Sequence, residues 1–230
     1  FFKVDMMVVQ RDSQSILAIV VIGLICSGCV STDISSGTPL EIAIEKQQNI
    51  ENLAYIEILT LNIVNETRAI EYDVLLQKPD RFRKIEKSDS FTRLKIVSNG
   101  DVVWIYDPEK NNVLVRHLTP SEKRPAPAIY TLLTDNITKN YTVEEQGIES
   151  INSIPVYKVK LTPHELDRED NTKEYVLWID SKNMTPLKLQ SYDKGNLVLT
   201  LEYRNYSMNC VINDDEFTFT IPDGASVVYA

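Results

Sequence analysis

Apolar and polar positions alternate along most of this chain. Lys78–His117 (KPDRFRKIEKSDSFTRLKIVSNGDVVWIYDPEKNNVLVRH) reads as four short strands divided by Pro79-Asp80, Asn99-Gly100 and Asp107-Pro108. Asn-Gly between two apolar runs predicts a two-residue hairpin turn, because both central residues of a type I′ turn need φ > 0. Such a turn sets Ser98 opposite Asp101, Val97 opposite Val102, Ile96 opposite Val103, Lys95 opposite Trp104 and Leu94 opposite Ile105. Side chains alternate across a strand. Leu94, Ile96, Val103 and Ile105 therefore share a purely apolar face that needs a core or a ligand. Arg93, Lys95, Val97, Val102, Trp104 and Tyr106 share a mixed face, suited to water or a covering helix.

The same period recurs on both sides. Upstream, Ile70, Tyr72, Val74 and Leu76 line one face, with Glu71, Asp73 and Gln77 on the other. The chain turns extended from Leu53. Further strands are expected at Tyr141–Glu149, Ile154–Pro163, Lys173–Asp180, Pro186–Tyr192 and Asn196–Tyr203. The helical period surfaces twice. Thr38-Pro39-Leu40-Glu41 combines a capping box with Pro at the first helical position, which predicts a helix to about Asn49. Between Thr119 and Asn140, Ile129, Leu132 and Leu133 fall at i, i+3 and i+4, the spacing of a short amphipathic helix. Taken alone, it reads as a surface connector. The fold class is mainly β (α+β).

Residues 1–28 read as an export signal with a lipobox. Arg11 precedes an apolar run, Ile16–Ile25, too short for a typical membrane-spanning helix. The run ends in Cys26-Ser27-Gly28-Cys29, small residues before a cysteine, which predicts cleavage before Cys29 and a lipid on its sulfur. The alternative is an uncleaved anchor, and either one tethers the downstream domain to a membrane. Residues 29–37 form a polar tether, and 38–230 form one domain. With Cys26 removed and Cys29 lipidated, Cys210 has no partner, so no internal disulfide is expected.

Two stretches carry a family resemblance. KPDRFR followed by IVSNGDVVWIYDPEKNNV resembles the LolA/LolB-like lipoprotein-carrier superfamily, with Gly100, Trp104, Tyr106, Asp107 and Pro108 as its most specific combination. The tail FTFTIPDGASVV (Phe217–Val228) is similar to the way such domains close. The resemblance covers roughly Leu40–Val228. It implies a curved, incomplete antiparallel β-barrel with an N-terminal helix, a short helical lid segment over its mouth, and an apolar interior for acyl chains. On that basis the cavity candidates are Ile70, Tyr72, Val74, Leu76, Leu94, Ile96, Val103 and Ile105, and the lid candidates Ile129, Leu132 and Leu133.

Composition narrows the function. Of 230 residues 43% are hydrophobic and 25% charged, which suits a globular domain rather than a disordered chain. A net charge of -9 without basic clusters disfavours nucleic acid and gives no attraction to anionic lipid. No G-x-S-x-G and no Gly-rich phosphate loop occurs. His117 and His164 stand apart from any carboxylate or thiol at ligand spacing. No enzyme activity, cofactor or metal is expected. Asp214-Asp215 and Glu144-Glu145 read as solvated acids rather than acid–base pairs. Sequons at Asn65, Asn136, Asn140, Asn183 and Asn205 are candidate glycan acceptors. The sequence thus points to a membrane-tethered, extracytoplasmic carrier or receptor for an apolar ligand, an acyl chain or the lipid of a lipoprotein. The alternative is a cell-surface sensor or scaffold whose cavity is filled by its own side chains.

Overall fold

The computed structural model describes residues 37–63, 66–87, 94–119, 133, 137–164 and 173–230. Helix α1 (Pro39–Gln48) starts as its sequence requires. The Thr38 hydroxyl accepts from the Glu41 amide at 3.3 Å, and the Thr38 amide donates to the Glu41 carboxylate at 2.8 Å. These bonds satisfy two of the free donors at the helix start. Leu40, Ala43 and Ile44 form its buried face. A single turn, α2 (Ile137–Asn140), follows much later.

Among the described residues twelve strands form one sheet. They are β1 (Asn52–Ile63), β2 (Glu66–Gln77), β3 (Arg81–Lys87), β4 (Lys95–Asn99), β5 (Val102–Asp107), β6 (Asn112–His117), β7 (Tyr141–Ile151), β8 (Ile154–Pro163), β9 (Lys173–Asp180), β10 (Pro186–Asp193), β11 (Asn196–Met208) and β12 (Ser226–Tyr229). Their order is β12-β6-β5-β4-β3-β2-β1-β11-β10-β9-β8-β7. The sheet is curved and open, with α1 on one face, here called the inner face. All pairs are antiparallel except β12, which lies parallel to β6.

The β4–β5 register differs from the one the Asn-Gly signal predicts. Ser98 pairs with Val103, Val97 with Trp104, Ile96 with Ile105 and Lys95 with Tyr106. The central turn residues are Gly100-Asp101, not Asn99-Gly100. The Asn99 side-chain oxygen accepts from the amides of Asp101 (3.0 Å) and Val102 (2.9 Å), so Asn99 caps the turn from outside it. Gly100 has φ +99° and Asp101 a negative φ, the pattern of a type II′ turn. Shifting the turn by one residue changes every partner but leaves every side chain on its face. Positive φ at both central positions occurs elsewhere, at Asn152-Ser153 between β7 and β8 and at Lys194-Gly195 between β10 and β11.

The mixed face of β4–β5 meets neither water alone nor a helix. The C-terminal segment lies across it. The Phe219 ring sits 6.3 Å from Trp104, 5.7 Å from Tyr106 and 5.6 Å from the Lys95 ammonium. A 3-10 turn, Asp214–Phe217, is tied to β3 by Arg81–Asp214 at 2.8 Å and Arg83–Glu216 at 2.6 Å. Arg81 also stacks 4.9 Å over the buried Phe217 ring. The family-like motif therefore straps the tail onto the outer face.

Candidate functional site

Strand pairing fixes the inner face without appeal to any ligand. One cross-strand row runs Val74, Lys84, Ile96, Ile105, Leu114 from β2 to β6. The next runs Leu76, Phe82, Ser98, Val103, Arg116. Ile70, Tyr72, Val74, Leu76, Leu94, Ile96, Val103 and Ile105 all fall on this face by the period of two. Tyr72, Val74 and Val103 are buried, and the other five are half-buried. Phe82 and Leu114 are half-buried on the same face and escaped the sequence reading. The alternation Phe82, Lys84, Glu86 would have exposed the first of them. The face is also not purely apolar, because β3 and its neighbours add Ser98, Lys84, Glu86 and Arg116.

The inner face divides in two. Under α1, Leu40, Ala43 and Ile44 join Leu133 and Ile137 in packing on Val159, Leu161, Leu177, Ile179, Leu189 and Leu201, and the cluster reaches Tyr55, Tyr72 and Val74. That half is filled by the protein's own side chains. Phe82, Leu94, Ile96, Ile105 and Leu114 lie beyond it, outside the cluster and only half-buried. Burying a leucine-sized side chain is worth roughly 1.5–3 kcal/mol, so an incompletely covered strip of five has room to gain from an apolar partner.

Between the halves stands a polar group of four. Glu57 (4% exposed) pairs across β1–β2 with Tyr72, and Tyr72 pairs with Glu86 (9% exposed). The Lys84 ammonium forms an ion pair with Glu57 and lies 4.0 Å from the centre of the Tyr72 ring. Burial raises the Tyr72 phenol above its ordinary pKa, and the Glu86 and Glu57 carboxylates add to the rise. On the outer face Glu149 accepts from Lys158 and from the Trp178 indole, which hold its carboxyl below the usual range.

The remaining candidates scatter. Ile129 and Leu132 lie outside the described residues, and Leu133 is buried in the filled half. Cys29, Asn65 and Asn136 also lie outside them. Asn140, Asn183 and Asn205 are exposed. Cys210 is half-buried and not in a disulfide. His117 and His164 are both exposed, and the His164 ring meets the Lys139 carbonyl at 3.1 Å. Asp214 is exposed and bound to Arg81, while Glu144 and Glu145 are exposed on β7. Among the described residues no three His, Cys, Asp or Glu side chains are placed to hold a metal, and no helix is long and apolar enough to cross a membrane. A cavity of about 440 Å³ lies on the outer face, where Ala54, Ile56, Leu75 and Arg83 meet Cys210–Asn213. Another, of about 470 Å³, lies between α1, α2 and β7.

An open curved sheet with a helix on its inner face has the shape of a half-barrel. A family model described as that of an uncharacterized protein matches residues 81–214, more than half of the chain. The chain belongs to that family, and its curated relatives include outer-membrane lipoprotein carrier proteins. It is 24% identical over 167 residues to an outer-membrane lipoprotein carrier protein of Methylobacillus flagellatus, covering 71% of this chain and 75% of the relative. It is 23% identical over 211 residues to an uncharacterized protein of Methanocaldococcus jannaschii, covering 90% of this chain but 58% of that longer relative. Two crystal structures share the fold. An uncharacterized conserved protein from Thermus thermophilus aligns with TM-score 0.53 at 14% identity, over 83% of this chain and 97% of its own. Lipoprotein LppX of Mycobacterium tuberculosis aligns with TM-score 0.51 at 13% identity, over 77% and 96%.

Proposed function

We propose that this protein is a membrane-tethered, extracytoplasmic carrier or receptor that holds an apolar ligand, an acyl chain or the lipid of a lipoprotein, against the inner face of β2–β6. The observation that carries this reading is the half-buried strip Phe82, Leu94, Ile96, Ile105 and Leu114, set beside a half that α1 already fills. Ile70, Tyr72, Val74, Leu76 and Val103 complete the proposed wall. An acyl chain gains roughly 0.8 kcal/mol for each methylene removed from water. Ten methylenes give about 8 kcal/mol before ordering costs, so affinities no tighter than micromolar are expected from the chain alone. The outer-membrane lipoprotein carrier named among the relatives supports the reading. The tether is assigned to the lipobox at Cys29, and Asn140, Asn183 and Asn205 are accessible to glycosylation if the envelope performs it.

One observation favours a second reading. Leu133 and Ile137 come from the region read as a lid, yet they are packed into the filled half. A module whose cavity is wholly self-filled would serve as a sensor or scaffold. Native mass spectrometry separates the two. Protein purified from its own membranes should carry an apolar molecule. Ile105→Glu should lose it, since Ile105 lies between Ile96 and Leu114 with no cation opposite. Ile105→Phe, which stays apolar, should fold and retain some ligand, and Lys95→Gln on the outer face should retain all of it. Wild type that neither carries nor takes up an apolar molecule leaves the scaffold reading in its place.

A further inference from the structure

Glu86 has no counter-ion among the described residues. It is 9% exposed, its backbone amide donates to the Leu94 carbonyl at 2.8 Å, and no cation described in the structure pairs with its carboxylate. By the β3–β4 register Glu86 stands directly between Tyr72 and Leu94 on the inner face, at the border of the half-buried strip. Lys84, on the same face of β3, is committed to Glu57 and to the Tyr72 ring, and Lys87 is paired with Asp73. Two carboxylates thus share one ion-paired lysine, while Arg68, further along β2, acts on Tyr72 from a distance. A ligand group that donates hydrogen bonds or brings a positive charge would meet this carboxylate favourably. A ligand carboxylate or phosphate would instead add a second like charge in a low-dielectric setting.

We propose that Glu86 is the polar anchor of the inner-face site, and that this site prefers amphiphiles with an ammonium or hydroxyl head over those with an anionic head. The inference rests on the reading of the strip as a ligand site and adds its headgroup chemistry. The chain of the ligand lies along Leu94, Ile96 and Ile105. Its head sits at Glu86, with the Tyr72 phenol able to donate or accept beside it. Lys84 does not attract an anionic head, because Glu57 already neutralises it.

The test is a competition on the full chain, released from detergent into native mass spectrometry. Dodecylamine, dodecanol and laurate are offered at equal concentration. They share a chain length, so the strip contributes alike to each. Wild type should hold dodecylamine at least tenfold over laurate, with dodecanol between them. Glu86→Gln should bring the amine and the carboxylate within about twofold of each other, a loss of roughly 1 kcal/mol of discrimination. Glu86→Asp, which keeps the charge, should retain the order and guards against a Gln variant that fails to fold. Wild type that binds all three equally, or laurate best, while Ile105→Glu binds none, overturns the anchor and leaves the strip intact as a ligand site. Wild type that binds none of the three overturns both.

Discussion

Arg83 joins Glu216 at 2.6 Å with one guanidinium nitrogen and Asp73 at 2.8 Å with another. One side chain of β3 thereby ties β2 and the C-terminal segment together across the outer face. The geometry uses the planar fork of arginine, which a lysine would not reproduce. Its neighbour Arg81 repeats the arrangement with Asp214 and Phe217. Arg83→Ala should leave Glu216 without its cation and Asp73 with Lys87 alone, and cost about 1 kcal/mol, which lowers the thermal midpoint by roughly 2–4 °C in a domain of this size. Limited proteolysis should then cut faster between Met208 and Ser226. An unchanged midpoint with unchanged cleavage would show that Phe217, Phe219 and Arg81 hold the strap without Arg83.

Much of the sheet was legible because it obeys the period of two. β2, β8, β9 and the inner residues of β11 lie where alternation puts them, and α1 begins at its capping box. The faces of β4 and β5 were right even though their register was not, since a turn displaced by one residue preserves parity. What escaped was long-range. Nothing local in Phe219 says that it will cover Trp104, and nothing in Asp214 or Glu216 names Arg81 or Arg83 as a partner. The outer face therefore reads in sequence as suited to water or a covering helix, not to the chain's own tail. The same blindness hid the group Glu57, Lys84, Tyr72 and Glu86, which three strands assemble. A charge that is an ordinary surface residue within its own strand becomes a buried one only when β1, β2 and β3 are laid side by side.

Gly100 offers a sharper test of the turn. A side chain there would meet the Asp80 carboxylate, with a Cβ placed 2.5 Å from its nearer oxygen, and φ is +99°. Gly100→Ala should therefore destabilise the protein by about 1–3 kcal/mol. Two causes act together, and a double mutant separates them. Asp80→Ala removes the close contact but not the backbone strain, so the double mutant should recover part of the loss in thermal midpoint. Full recovery would mean that the backbone tolerates alanine and that the clash was the whole effect. A single mutant as stable as wild type would contradict the II′ turn.

Anchoring can be separated from folding by chemistry at one sulfur. Cys29→Ser should move the protein from the membrane fraction to the soluble fraction, or leave an uncleaved precursor. Intact mass of the wild-type mature chain should exceed that of the polypeptide from Cys29 to Ala230 by the mass of a lipid. Residues 1–28 still attached to the wild type would replace the lipid anchor with an uncleaved apolar one. Cys210 should not confuse the result, and the thermal midpoint should be the same with and without a reductant. A drop on reduction would reveal an intermolecular bridge.

The polar border of the inner face should show itself at alkaline pH. Burial raises Tyr72 above its ordinary value of 10.0, with Glu86 and Glu57 adding to the rise and Arg68 opposing it. Burial likewise raises Tyr141 and Tyr175, whose rings meet edge to face at 5.9 Å. A raised pKa means that the folded protein keeps a proton the unfolded chain has released. Stability from these phenols is thus fully present below about pH 10 and is lost as pH climbs through the folded values. Each phenol that is ionised only in the unfolded state lowers the unfolding free energy by about 1.4 kcal/mol per pH unit. Denaturant titrations at increasing pH should therefore show a falling midpoint above about pH 10, and tyrosinate absorbance should show a late-ionising fraction. Lysines also titrate in this range, so the decisive comparison is with Tyr72→Phe, which keeps a ring under Lys84 and removes the proton. That variant should lose stability less steeply with pH than wild type. Identical slopes would mean that the Tyr72 phenol ionises as freely in the folded protein as in the unfolded chain, and that Glu57 and Glu86 do not enclose it.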